Sequence, residues 1–162
     1  MGGRRGHMAA LDWTSKSLMC EFNTGESVHA VRWLHTENLL AVAQKRWTHV
    51  YDSQGVEIHC VKKMNNITSL EYLPYHFLLA GASEAAYLTW LDVSIGKIVR
   101  ETYTGLGRLN IMCQNPTNAV LLLGHSKGTV TMWTPNMKVC SKGLFTTVHY
   151  IAGGGARPHQ LR

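Results

Sequence analysis

Trp47-Thr48-His49-Val50-Tyr51-Asp52-Ser53-Gln54-Gly55 is a short run of β-formers that closes on a large apolar residue and a small polar one, with a turn directly behind. Two further stretches are built alike: Tyr87-Leu88-Thr89-Trp90-Leu91-Asp92-Val93-Ser94-Ile95-Gly96 and Thr129-Val130-Thr131-Met132-Trp133-Thr134-Pro135-Asn136-Met137. Leu11-Asp12, after His7-Met8-Ala9-Ala10, repeats the closing pair. The polar members stand at 12, 52, 92 and 134, so the spacings are 40, 40 and 42. A fixed period of this size marks a repeat architecture.

Other parts recur in phase. After each turn comes a run able to pair back as a hairpin: Ser17–Phe22, Val56–Val61 and Lys97–Arg100. Before each closing pair lies an apolar run rich in small residues: Leu39–Ala43, Phe77–Ala82 and Ala119–Gly124. Before that is an alternating run: Val28–Leu34, Ile67–Leu73 and Leu109–Cys113. Four short strands per unit, the third closed by an aromatic-Asp-like pair, predict an all-β fold of propeller blades. Inner strands covered on both faces read as unbroken apolar runs, and outer strands alternate. The Asp after the third strand is placed to accept hydrogen bonds from the following turn. The structural repeat positions are therefore Asp12, Tyr51, Asp52, Leu91, Asp92, Trp133 and Thr134.

The period sets the expected organisation. A basic stub covers 1–6, and 7–25 is the outer hairpin of an incomplete blade. Whole blades cover 26–65, 66–104 and 105–145, and 146–162 reads as a flexible Gly-rich tail. Closed propellers need about four to eight blades. Three and a half fall short, so the chain reads as part of a longer one or a shortened product.

Composition narrows the class. The 162 residues are 45% hydrophobic and 16% charged, which fits a packed domain. Unbroken apolar stretches reach five residues, far below the roughly 20 that a membrane helix needs. Cys20, Cys60, Cys113 and Cys140 lack zinc-site or disulfide-scaffold spacing and read as small buried hydrophobes. The net charge of +6 is uneven: 1–101 hold ten Lys/Arg against ten Asp/Glu, and 102–162 hold six Lys/Arg and no acid. Such a balance is compatible with a polyanionic partner, although the six charges form no cluster. Arg4-Arg5, Lys45-Arg46 and Lys62-Lys63 are the adjacent cationic pairs able to touch RNA phosphates.

Catalytic and metal chemistry finds no frame. The nine histidines form no H-E-x-x-H, and no pair of them sits beside a cysteine at ligand spacing, although His49 and His59 fall on facing strands of one hairpin where either can meet a cysteine; structural histidines are the expectation. Ser126 lacks the G-x-S-x-G frame, and Gly105-Leu106-Gly107-Arg108 is not a phosphate loop. No catalytic, metal-binding or cofactor-binding residue is assigned, and no enzyme is expected. The five tryptophans, Trp13, Trp33, Trp47, Trp90 and Trp133, are expected to pack between blades rather than stack on bases.

Several consecutive unusual words carry a closer likeness. Leu40–Gly55, Leu73–Ala80, Val93–Val99, Gln114-Asn115-Pro116, Gly124–Val130 and Trp133–Lys138 resemble, in order and spacing, blades of the WD repeat-containing protein 46 family. The likeness covers roughly residues 3–142. It implies a WD40 β-propeller, seven-bladed when whole. It further implies a non-enzymatic scaffold of ribosome biogenesis in the small-subunit processome, which handles pre-rRNA in the nucleolus of the nucleus. The implied partners are other processome proteins and pre-rRNA or small nucleolar RNA particles, with no membrane and no small-molecule substrate. The repeat by itself supports a peptide-reading WD adaptor or substrate receptor equally well, because a propeller does not fix a function.

Overall fold

The computed structural model describes residues 2–34, 38–115, 117, 120–135 and 148–149. β1 (His7–Asp12) and β2 (Ser17–Asn23) pair as a two-stranded sheet. A four-stranded sheet follows, β3 (Val28–Trp33), β4 (Leu39–Gln44), β5 (Thr48–Asp52) and β6 (Glu57–Val61), in chain order. The next holds β7 (Ile67–Leu73), β8 (Leu78–Ser83), β9 (Tyr87–Asp92) and β10 (Lys97–Tyr103). The last holds β11 (Leu109–Gln114), β12 (Leu121–His125), β13 (Thr129–Trp133) and β14 (Val148–His149). Every neighbouring pair is antiparallel. A 3-10 turn at Pro74–His76 is the helical segment among the described residues. The fold is all-β, a partial WD40 propeller.

The inner strands show why the apolar runs are unbroken. Leu40 and Val42 of β4 face β1 and β2 and pack with Met8, Phe22 and Tyr51. Ala41 and Ala43, the alternate residues of the same strand, face the other way and pack with Met64, Ile67, Leu70 and Leu79. The next layer repeats the device: Ala80, Ala82, Leu88 and Trp90 meet Leu109, Met112, Leu121 and Leu123. The central strands β4, β5, β8 and β9 are thus covered on both faces, while β12 and β13 leave one face open at Leu122 and Met132. Outer strands β2 and β10 alternate between exposed and partly buried positions. One ion pair also joins two sheets: Arg32 Nη2 of β3 binds Glu71 Oε2 of β7. Burial pushes the Glu71 carboxyl up, and the Arg32 cation pulls it partly back.

Two expectations need correction. Cys60 and Cys113 are exposed and Cys20 is partly so, rather than being buried hydrophobes; Cys140 lies outside the described residues. Cys60 and Cys113 sit on strands with one face open, and the sequence pattern does not say which face a lone small residue takes. The tryptophans divide. Trp90 and Trp133 are buried between sheets, while Trp13, Trp33 and Trp47 are exposed. Of the expected tail 146–162, Val148–His149 pair with Val130 and Thr129 as β14. The remainder lies outside the described residues.

Candidate functional site

Consecutive antiparallel strands send alternate loops to opposite ends of the sheets. One end gathers 2–6, 24–27, 45–47, 62–66, 84–86, 104–108 and 126–128. Within each sheet, backbone bonds at the strand ends tie these loops to one another. Thr24 N donates to Gly6 O at 2.8 Å, Lys45 N to Ser27 O at 3.1 Å, and Glu84 N to Asn66 O at 3.1 Å. Thr104 N donates to Ala86 O at 3.0 Å, and Ser126 N to Arg108 O at 2.9 Å. The loops therefore form a fixed surface, because each holds a neighbour's otherwise orphaned backbone groups.

All three cationic pairs come to this end. Arg4 and Arg5 precede β1, Lys45 and Arg46 join β4 to β5, and Lys62 and Lys63 follow β6. Arg108 and Lys127 join them from loops near the end of the chain. The sequence does not single these two out, because neither has a cationic neighbour; the acid-free last third is the one signal. Glu26 holds Arg46 by its backbone N at 3.1 Å and by Nε at 3.3 Å. Glu84 holds Arg108 at 3.1 Å. Both pairs are exposed, so they orient side chains more than they stabilise. Lys62 Nζ stands 5.1 Å over the half-exposed Trp47 ring, a cation on an aromatic face.

Between the first two four-stranded sheets this surface dips into an open groove of about 700 Å³, lined by Arg4, His29, Asn66, Thr68, Glu84 and Arg108. A second groove, of about 680 Å³, runs past Lys63, Asn66, Tyr87 and Glu101. Cations, amide donors and one exposed aromatic on rigid loops suit an anionic backbone better than a reacting small molecule.

The repeat positions sit at the other end. Asp12 accepts from Thr14 N at 2.9 Å, from Thr14 Oγ1 at 2.5 Å and from Ser15 Oγ at 2.6 Å. These donors hold its carboxyl down at about 2. Asp52 accepts from Gln54 N and Val56 N, each at 2.8 Å. Asp92 accepts from Ser94 N at 2.9 Å and Ser94 Oγ at 2.5 Å, and the Ser94 hydroxyl bond lowers its pKa. Tyr51 donates no such turn bond; its hydroxyl accepts from Gln44 Nε2 at 3.1 Å inside the sheet. Leu91 and Trp133 are buried, and Thr134 follows β13 half-buried.

The buried His125 has a structural setting. His125 Nε2 and Thr131 Oγ1 are 2.8 Å apart, and Trp133 Nε1 donates to the same hydroxyl at 2.8 Å. Burial pushes the His125 ring below its ordinary value, which keeps it neutral. Among the described residues one group of ligand-type side chains converges: His49, Glu57 and Cys60.

The comparisons with known proteins agree with this architecture. No family model matches the chain. The human WD repeat-containing protein 46 is 53% identical over 99% of the chain. The Caenorhabditis elegans protein of that name is 52% identical over 94% of it. The Saccharomyces cerevisiae U3 small nucleolar RNA-associated protein 7 is 44% identical over 83%. The chain spans only 28% of the human relative's length and 24% of the yeast relative's. Over the segment it spans, then, the chain belongs to the WD repeat-containing protein 46 family.

Proposed function

We propose that this chain acts as a non-enzymatic WD-repeat scaffold of ribosome biogenesis, within the nucleolar small-subunit processome that handles pre-rRNA. The observation that carries the reading is the 51–53% identity to WD repeat-containing protein 46 across nearly the whole chain. The name of the yeast relative, a U3 small nucleolar RNA-associated protein, points the same way. The stitched basic end supplies a physical means: Arg4, Arg5, Lys45, Arg46, Lys62 and Lys63 contact RNA phosphates, helped by Arg108 and Lys127. Phosphate contacts of this kind position a protein on RNA without reading its sequence. The partners are other processome proteins and pre-rRNA or small nucleolar RNA particles.

Sedimentation tests the reading. Tagged chain expressed in cells is expected in large nucleolar ribonucleoprotein particles that collapse to smaller species after RNase treatment. Residence in small cytoplasmic complexes indifferent to RNase overturns it and favours a WD adaptor or substrate receptor.

A further inference from the structure

Three outer hairpins among the described residues, β1–β2, β5–β6 and β9–β10, share one backbone pattern. In each, the outer strand carries a one-residue bulge, and the register runs through the same three positions. In β5–β6 they are His49 opposite Cys60, Val50 opposite His59, and Tyr51 opposite Glu57, with Ile58 as the extra residue. In β9–β10 the corresponding pairs are Thr89 with Glu101 and Leu91 with Ile98. In β1–β2 they are Ala9 with Glu21 and Leu11 with Leu18. The bulge matters because side chains alternate across a strand. Without Ile58 as an insertion, Glu57 would face away from Cys60; with it, both reach the face that His49 occupies.

Only this hairpin fills all three places with ligating groups. Thr89, Ile98 and Glu101 offer one carboxylate, and so do Ala9, Leu18 and Glu21. The donor atoms of His49, Glu57 and Cys60 all lie within 4.8 Å of one another. His49 Nδ1 is 3.0 Å from Glu57 Oε2. The His49 ring is nearly buried, stacked 5.9 Å from Tyr51 and tilted against Trp47 at 6.4 Å, so its direction is fixed. Glu57 and Cys60 are exposed and free to close on it.

We propose that His49, Glu57 and Cys60 form a binding site for a divalent metal ion of zinc type. One imidazole, one carboxylate and one thiolate are the donor set of zinc rather than of calcium or magnesium, which take oxygen ligands. Zinc bonds of about 2.0–2.3 Å place ligands roughly 3.3–3.8 Å apart, and the present cluster needs only exposed side-chain rotations to reach that. The ion is bound by Nδ1 of the neutral imidazole, whose one proton sits on Nε2, and by the Glu57 carboxylate, and the Cys60 thiol releases its proton to solvent. A fourth position stays open for water or a donor from a partner. The site ties β5 to β6 at the rim of the sheet and adjoins the basic end, where the His49 ring meets Trp47 and Cys60 lines a pocket with Lys62 and Lys63.

Cobalt(II) titrated into the full chain under reducing conditions provides the test. One equivalent is expected to give the thiolate-to-cobalt charge-transfer band, and zinc is expected to displace it. Cys60→Ser is expected to abolish the band, Glu57→Gln to weaken binding at least ten-fold, and Cys113→Ser to change neither. In the unmutated chain, zinc is expected to slow alkylation of Cys60 several-fold while leaving Cys113 unchanged. The proposal is overturned by absence of the band, by a band that survives Cys60→Ser, by unchanged affinity in Glu57→Gln, or by Cys60 alkylation indifferent to zinc.

Discussion

The two ends of the sheets are made from the same repeat and yet differ in kind. At one end, loops are tied to their neighbours in each sheet by backbone bonds at the strand ends and carry Arg4, Arg5, Lys45, Arg46, Lys62, Lys63, Arg108 and Lys127. At the other end the hairpin turns are closed locally, each by its own Asp: Asp12, Asp52 or Asp92. Exposed apolar residues accompany them there, Trp13 at 85%, Tyr75 at 71% and Ile95 at 59%. The lesson is about where variation is free. A turn closed in part by its own Asp side chain, beside backbone bonds such as Gly55 N to Asp52 O at 3.1 Å and Gly96 N to Asp92 O at 2.9 Å, loses part of its closure with that Asp. A loop held by a neighbour's backbone is held whatever its side chains, so those side chains are available for binding.

That contrast predicts a double separation of phenotypes, and the largest effect belongs to the basic end. Replacing Arg4, Lys45, Lys62 and Lys63 together by Glu is expected to lower affinity for single-stranded RNA by about 100-fold or more at fixed salt. The salt dependence should flatten by about 0.7 log unit for each phosphate that is no longer neutralised. Fluorescence anisotropy over a salt series measures both. The unfolding midpoint should not move, because these side chains lie on loops closed by backbone bonds. A variant that binds RNA as tightly as the parent removes the basic end from the function.

Next comes the ion pair between sheets. Arg32→Met leaves Glu71, which is 7% exposed, without its cation. A loss of about 1–3 kcal/mol is expected from urea unfolding, since a buried charge stripped of its partner keeps its desolvation cost. Adding Glu71→Gln should restore part of that loss, and the double-mutant cycle reads the coupling. Glu71 is raised above its ordinary value, so the folded state binds its proton more tightly than the unfolded state does. Its ionisation therefore disfavours folding as pH rises through the folded pKa, and Arg32→Met should steepen that loss. RNA affinity should not follow. Additive single effects would mean that the two sheets do not communicate through this pair.

The Asp end gives a smaller stability effect. Asp92→Ala removes the acceptor for Ser94 N and Ser94 Oγ. The expected cost is about 1 kcal/mol, because the turn is exposed and water replaces part of the bonding that Asp92 supplied. An unchanged denaturation midpoint would show that Gly96, at φ +66°, closes the turn unaided.

The sequence carried much of this and hid the rest for reasons of geometry. Residues closing a turn on themselves, such as Asp52 with Gln54 and Val56, are near in the chain, so a period of 40 exposes them. The strands buried on both faces were equally plain, because Leu40 and Ala41 must both be apolar when each meets a different sheet. The basic end was visible only as adjacent pairs. Arg4 and Arg108 share one groove although 104 positions separate them, and only the fan of sheets brings them together. The cluster of His49, Glu57 and Cys60 was hidden more deeply. Its spacing matches no local ligand motif, and the face that Glu57 takes depends on a bulge that no residue pattern announces. Exposed Trp13 and Trp33 failed the packing expectation because residue type says how much apolar area exists and not whether a neighbour covers it.

The smallest effect concerns acid. Hydrogen bonds from Ser15 and Thr14 lower the Asp12 carboxyl from 3.8 to about 2. A depressed carboxyl holds fewer protons in the folded state than in the unfolded one, so its contribution is complete above about pH 4. It declines as the pH falls through that value and is gone below about 2. Urea midpoints of the parent and of Asp12→Asn should therefore differ near neutrality and converge as the pH approaches 2. The basic end, whose cations keep their charge over that range, should contribute nothing to the convergence. Curves that stay parallel down to pH 2 would mean that the β1–β2 turn holds its shape without the charge on Asp12. The two ends would then differ in side chains alone and not in how their turns are closed.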